Sequence, residues 1–426
     1  MALSTQPYKG ARDFYPEDQR LLNYIFWQWI EVAESFGYEE YSAPLLEPIE
    51  LYAAKTGNEI VNEQTYVFED RGGRKVTIRP EMTPSVSRMV AARRQELAYP
   101  LRWYSIPSVW RYERPQRGRM REHWQLNVDV FGIEGIEAEM EMVQMSDAIM
   151  KALGAKRSMY KIRINSRGLI NTIMQEYIGD NSTAIQAVIR LVDRMHKMKE
   201  KEFTAALSDI IGKEKVKPLT DVLATNKLVD LPKRYSNHAS VASLRRLLDT
   251  VANLGISNVV FDASLMRGFD YYTDIVFEVF DTHPDNNRSM FGGGRYDGLV
   301  GMFGVQSVPT VGFGMGDVTL VNFLRTHKLV PKLKTETDVY VALVGDVYEP
   351  AQTIIAKLRA ADLDVAVDPT NRKLDKQIKA ADKKGISHML FIGEQELKKG
   401  SYRLKDLKTG QEQSLSLAEV IAELSR

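Results

Sequence analysis

Apolar and polar residues alternate through Trp124, Gln125, Leu126, Asn127, Val128, Asp129 and Val130. A strand turns successive side chains to opposite faces. The alternation predicts one face of Trp124, Leu126, Val128 and Val130, packed on a helix, and an opposite polar face of Gln125, Asn127 and Asp129. The run from Leu101 to Gly132 reads as two strands joined by the loop Arg114-Pro115-Gln116-Arg117-Gly118-Arg119. Arg111 and Glu113 share a face of the outgoing strand, and Arg121 lies beside the loop. Upstream, Pro16-Glu17-Asp18 opens an amphipathic helix that reaches about Ser35 and stops at Gly37. An extended GYEEYSAPLLEP follows, then a hairpin turned at Gly72-Gly73, then a helix from about Pro84 to Glu96.

Downstream, Glu137 to Leu153 is predicted helical, and about 166–255 reads as a polar, largely helical insertion. Strands return in SNVVFDASLMRGFDYYTDIVFEVF and around a turn at FGGGRYDG. Up to residue 325 there is no regular βαβ rhythm. The expected class is α+β, an antiparallel sheet flanked by helices, with a helical insertion. Residues 326–336 read as a linker. Residues 337–426 then follow a βαβαβ pattern, TDVYVALVG, LDVAVDP and SHMLFIG alternating with two helices, which predicts a small α/β domain. Its second helix, from about Asn371 to Lys384, sets Leu374, Ile378 and Ala381 on one face. Arg372, Lys376, Lys379 and Lys383 fall on the other, a candidate contact for a nucleic-acid backbone.

Composition narrows the chemistry. The chain has 426 residues, no cysteine and a formal net charge of +1. A disulfide framework, Cys-ligated zinc and a thiol nucleophile are excluded, and any nucleic-acid site is a local patch rather than a bulk field. No apolar run is long enough to span a bilayer, and the N-terminal residues lack the apolar core of a signal peptide. A cytoplasmic location is expected. The six histidines are scattered and imply no metal site. The C-terminal segment carries neither GxGxxG nor GxxxxGK[ST]. The central hairpin is the richest feature. Guanidinium forks suit phosphate, and a carboxylate and an amide on the adjacent pleat suit a small polar ligand. Three glycines beside Arg295 and Asp297 fit a place where backbone approaches a ligand closely.

These residues resemble the histidyl-tRNA synthetases, a family of class II aminoacyl-tRNA synthetases, over nearly the whole chain. KGARDFYPED resembles the family's N-terminal segment. The helix to Ser35 with YSAPLLEP resembles motif 1, with Pro44 at the dimer contact, and VWRYERPQRGRMREHWQ resembles motif 2. RGFDYYTDIVFE and GGGRYDGL resemble two signatures of the histidine-specific enzymes. The resemblance implies a class II catalytic domain over 1–325 and an anticodon-binding domain over 337–426. It implies ATP with Mg²⁺, L-histidine and tRNA(His) as partners, in a homodimer. Arg111 matches the arginine on the α-phosphate, Glu113 the reader of the adenine amino group, and Arg119 a further ATP contact. Arg267 matches the catalytic arginine between histidine carboxylate and α-phosphate. Glu81 and Thr83, expected on one strand face, match the pair that holds the substrate ammonium. Gln125, Asp129, Tyr271 and Tyr272 match the histidine pocket, and Arg114 and Gln116 the contacts to the tRNA acceptor end. Arg295 is expected on the ATP side.

The chain also departs from the family. VGFGMGDVTL places Thr319 where motif 3 carries an arginine for the γ-phosphate. Arg117, Arg119, Arg121 and Arg295 are the candidate replacements. Asp129 stands where glutamate is frequent, and Asn127 where a small residue is expected. A second reading follows from the missing arginine: a non-catalytic, histidine-binding regulatory subunit of ATP phosphoribosyltransferase. A synthetase for another amino acid is disfavoured by RGFDYY.

Overall fold

The computed structural model describes residues 3–53, 64–195, 198–266, 271–286, 288–370 and 372–425. Two compact units result, Met1–Val330 and Pro331–Arg426.

Helix α1 (Pro16–Ser35) starts on a proline and two acids, which suit the amide-rich, positive end of a helix. It ends before Gly37, whose φ of +79° a side chain would resist. Leu22, Ile25, Trp29 and Val32 recur at helical spacing and are buried. Strand β1 (Glu39–Glu40) follows. A separate three-stranded sheet comes next, from β2 (Leu46–Pro48), β3 (Tyr66–Glu69) and β4 (Lys75–Ile78), with the short helix α2 (Glu50–Ala53) between the first two. Helix α3 (Thr83–Ala92) starts at Thr83 and ends four residues short of the expected Glu96.

The expected outgoing strand is two pieces, β5 (Leu101–Ser105) and β6 (Ser108–Trp110), divided at Ile106-Pro107. Both pair antiparallel with β7 (Glu122–Phe131). Proline has no amide to donate to a ladder, which accounts for the division. Helix α4 (Glu137–Ala152) leads to β8 (Tyr160–Ser166). Helices α5 (Arg167–Ile178), α6 (Ser182–Arg194), α7 (Glu200–Ile211), α8 (Lys213–Leu223) and α9 (Ala239–Asn253) follow before the sheet resumes. Strands β9 (Val259–Phe261), β10 (Ile275–Asp281), β11 (Ser289–Arg295) and β12 (Thr310–Gly316) complete a nine-stranded sheet, and α10 (Asp317–Thr326) closes the unit. The order is β1-β5-β7-β12-β11-β10-β8-β9, with β6 also on β7. The edge pairs β1–β5 and β8–β9 are parallel, and the interior is antiparallel.

Leu126, Val128 and Val130 are fully buried in one core with Trp29 of α1 and Met142 and Met145 of α4. Each such side chain contributes roughly 1.5–3 kcal/mol on leaving water. That face anchors β7 and turns Gln125, Asn127 and Asp129 to the other side of the sheet.

The second unit holds β13 (Val339–Val344), α11 (Tyr348–Arg359), β14 (Val365–Val367), α12 (Leu374–Lys383) and β15 (His388–Gly393), all three strands parallel. Beyond the expected pattern come α13 (Glu394–Lys399), an antiparallel hairpin of β16 (Ser401–Asp406) and β17 (Glu412–Ser416), and α14 (Leu417–Leu424). The polar strands of this hairpin lie at the edge of a five-stranded sheet, which is why their apolar signal is weak.

Candidate active site

Strands β7, β11 and β12 come together at a cavity of about 280 Å³ in the first unit. Its depth is made by glycine. In β12, Val311, Phe313 and Met315 are buried in the core, while Gly312, Gly314 and Gly316 line the cavity. The register sets Gly312 opposite Asp129, Gly314 opposite Asn127 and Gly316 opposite Gln125. A Cβ on Gly312 would run into the Asp129 carboxylate, and one on Gly314 into the Gln125 amide. The alternation Gly-Phe-Gly-Met-Gly is thus a strand pattern that leaves room for two polar side chains. The FGGGR segment is likewise a strand, β11, and not the expected turn.

Asp129 is 2% exposed and lines the cavity. Tyr296 donates its hydroxyl to Oδ1, while Oδ2 has no hydrogen-bond partner among the described residues. Burial pushes the Asp129 carboxyl up to about 7, against the Tyr296 hydrogen bond and helped by the Glu81 charge. Tyr271 donates to Glu81 Oε2 at 3.2 Å, and its ring lies 4.9 Å from Tyr272 and 5.7 Å from Tyr296. Gln125 Nε2 donates to Asn127 Oδ1 at 2.5 Å. Glu81, Thr83, Gln125, Asp129, Tyr271 and Tyr272 all line this one cavity. The geometry behind Glu81 and Thr83 differs from the expected shared strand face. Glu81 sits in irregular backbone, and Thr83 opens α3.

Arg111, Glu113 and Arg119 line the same cavity. Strand β6 ends at Trp110, so Arg111 and Glu113 are not on a strand face. Arg111 is held by its backbone amide to the Arg121 carbonyl at 2.8 Å and by Nε to the Pro80 carbonyl at 3.0 Å. Arg119 forms an ion pair with Glu113 at 3.1 Å. His123, which sequence reasoning passed over, also faces the cavity. Burial first, then the charges of Arg111 and Arg12, push its imidazole down to about 3, so it is neutral at physiological pH. Tyr296 was passed over as well, although it follows Arg295 in the glycine signature. Thr319 lines the cavity, and its hydroxyl donates to the Met290 carbonyl at 2.8 Å. Gly118 of the basic loop packs beside it.

Arg295 corrects an expectation. It lies on the opposite face of β11 from Gly292 and Gly294, as period two requires. Its guanidinium forms a fork with buried Glu139 of α4 at 2.6 and 2.8 Å and donates to the Ile133 and Gly135 carbonyls. A cation so engaged ties the sheet to α4 and does not reach a triphosphate. Arg121 is similarly committed, bonded to Tyr8 and the Glu113 carbonyl and stacked 4.1 Å from the Tyr112 ring. Arg114 and Gln116 are exposed at the loop tip. Arg267 lies outside the described residues. Among the described residues no three His, Asp or Glu side chains cluster as metal ligands.

In the second unit, Lys376, Lys379 and Lys383 are exposed on α12, opposite buried Ala381. Arg372 is not part of that face. It precedes the helix and forms an ion pair with buried Asp368, which also accepts the Tyr340 hydroxyl at 2.9 Å. Against its burial, hydrogen bonds from Thr370, Arg372 and Tyr340 hold the Asp368 carboxyl at about 2.

The first unit is thus a nine-stranded, mainly antiparallel sheet with a polar cavity flanked by arginines, and the second is an α/β unit. A profile of the family described as Histidyl-tRNA synthetase matches residues 10–318, and one described as Anticodon binding domain matches 338–426. Similar proteins include "Histidine--tRNA ligase" of Leptospira biflexa, 40% identical, covering 99% of this chain and 98% of that protein. Another of the same description, from Thermoplasma volcanium, is 37% identical over 98% of each. In fold, the chain is similar to the histidyl-tRNA synthetase of Nostoc sp. PCC 7120, with a TM-score of 0.83, 24% identity and full coverage of both chains. The chain belongs to the histidyl-tRNA synthetase family.

Proposed function

We propose that the chain activates L-histidine with Mg·ATP and transfers it to tRNA(His). In the first step a histidine carboxylate oxygen attacks the α-phosphorus, the bond to the bridging oxygen breaks, and pyrophosphate leaves. In the second, a ribose hydroxyl at the tRNA 3′ end attacks the carbonyl of the adenylate, and AMP leaves. The reactants of the first step are both anionic, so positioned cations lower its barrier more than any covalent group would. Arg111 takes the α-phosphate, Glu113 the adenine amino group, and Arg119 a further phosphate oxygen. Arg267 bridges carboxylate and phosphate. Glu81 and Thr83 hold the ammonium, and Gln125, Asp129, Tyr271 and Tyr272 surround the imidazole. Arg114 and Gln116, exposed at the loop tip, meet the acceptor end. Mg²⁺ enters with ATP as part of the substrate.

The observation that carries this reading is Asp129. It is a buried carboxylate lining a glycine-deepened cavity, with one oxygen lacking a hydrogen-bond partner among the described residues. Such an atom is costly unless a ligand supplies a donor, and an imidazole N–H is one. Charging of a tRNA(His) transcript with labelled histidine tests the reading. Histidine binding without charging would favour the regulatory-subunit alternative.

The three-stranded sheet supports a homodimer. Leu46 and Phe68 stand 47% and 44% exposed on one face of it, beside Val76 and Ile78. A second copy would cover this apolar face. The double variant Leu46→Asp/Phe68→Asp is expected to sediment as a monomer where the wild type sediments as a dimer. An unchanged dimer would place the interface elsewhere. The protein acts in the cytoplasm, and no helix among the described residues is long and apolar enough to cross a membrane.

The second unit contacts tRNA through Lys376, Lys379 and Lys383. Reversing two of them to glutamate is expected to weaken tRNA binding at least tenfold and to flatten its salt dependence. ATP–pyrophosphate exchange, which needs no tRNA, is expected to stay within twofold of wild type. Equal loss of both activities would make the helix structural.

A further inference from the structure

We propose that Arg288, immediately before β11, supplies the cation for the end of the triphosphate that Thr319 cannot, an inference that rests on ATP being the substrate. Among the described residues, two guanidinium groups line the cavity, Arg111 and Arg119, against three carboxyl groups, Glu81, Glu113 and Asp129. Arg119 is already paired with Glu113, and His123 is neutral. With Arg111 and Arg267 assigned to the α-phosphate, no free cation among the described lining residues remains for the far end of a triphosphate. Thr319 adds nothing to it, because its hydroxyl proton is directed to the Met290 carbonyl, with the Gly316 carbonyl 3.3 Å away.

The same bond locates the replacement. It ties Thr319 to β11 two residues beyond Arg288, and Ser289 and Met290 between them line the cavity. Arg288 is exposed. Its Nη1 stands 3.5 Å from the Gln116 amide oxygen, so the side chain reaches across to the basic loop whose Gly118 packs on Thr319. Among the described residues no carboxylate forms an ion pair with it. Arg295 and Arg121, by contrast, are committed to Glu139 and to Tyr8 and Tyr112, respectively. An arginine at a cavity rim, facing a weak neutral acceptor, can turn to phosphate without breaking a salt bridge. Its planar fork suits that ligand.

Equilibrium binding of Mg·ATP and of AMP separates the tail from the rest of the nucleotide. Arg288→Ala is expected to weaken Mg·ATP at least tenfold and AMP less than twofold, and Arg288→Lys to recover part of the loss. The double variant Arg288→Ala/Thr319→Arg is expected to return Mg·ATP affinity to within about threefold of wild type, because it restores a cation to the same end of the cavity. Unchanged Mg·ATP affinity in Arg288→Ala overturns the proposal. So does equal weakening of AMP, failure of the double variant to recover, or a loss that appears in Arg117→Ala instead. These measurements need no catalysis. Absence of histidine-dependent turnover would therefore defeat the proposed function without deciding the role of Arg288.

Discussion

Asp129→Asn is expected to lower kcat/KM for histidine by roughly 10- to 100-fold while making the protein more stable at pH 8. The activity loss follows from the ligand side. A hydrogen bond to a charged group contributes about 1.5–3 kcal/mol, and its absence leaves the bound imidazole N–H poorly satisfied. The stability gain follows from the carboxyl's position. Its value in the folded protein, about 7, lies above the ordinary 3.8 because burial disfavours the charged form. Between about pH 4 and 7 the unfolded chain releases this proton and the folded one keeps it. Stability is therefore lost as pH rises through that window, and the loss is complete above pH 7. It amounts to roughly 2–4 kcal/mol, which asparagine does not incur. The difference in Tm between variant and wild type should be small at pH 4, grow to pH 7 and then level off. A difference independent of pH would contradict the assignment. The same titration appears in catalysis. For the wild type, kcat/KM for histidine should fall below about pH 7 as Asp129 protonates. The variant should retain only the limb of the substrate's own imidazole.

Arg111→Ala is expected to lower kcat for adenylation by about 10²- to 10³-fold, with the histidine KM within a few-fold of wild type. Arg111 is fixed by the Pro80 and Arg121 carbonyls, so its charge is aimed before substrate arrives. Preorganised charge acts most strongly where negative charge is brought together, in the transition state. Arg111→Lys should recover little, because a point charge does not reproduce the fork. A variant with normal kcat and only a raised ATP KM would show a role in binding alone.

The strands and the pocket were legible to different degrees. The period of two in Glu122–Phe131 identified the face that carries Gln125 and Asp129, because burial on one side imposes strict alternation. The same rule, applied to FGGGR, would have turned Arg295 away from ATP. Reading those glycines as a turn hid that the segment is a strand and that Arg295 belongs to the α4 face. The glycines of β12 were legible in principle, as Gly312, Gly314 and Gly316 alternate with Phe313 and Met315. Their meaning depends on which side chains lie opposite, and pairing register is a tertiary fact. His123, two residues before Gln125, and Tyr296, two beyond Gly294, fall on the same period-two faces as the pocket residues and were legible in principle. Arg372 looked like one of four cations on a helix face, yet a single buried partner, Asp368, claims it. Such long-range pairings decide which arginines remain available to phosphate, and spacing along a chain does not contain them.

Histidine-dependent ATP–pyrophosphate exchange, run with each of the twenty amino acids, tests the central claim most directly. Exchange with histidine and with no other amino acid is the predicted result. Absence of exchange with histidine, from protein that binds it, would contradict the catalytic reading.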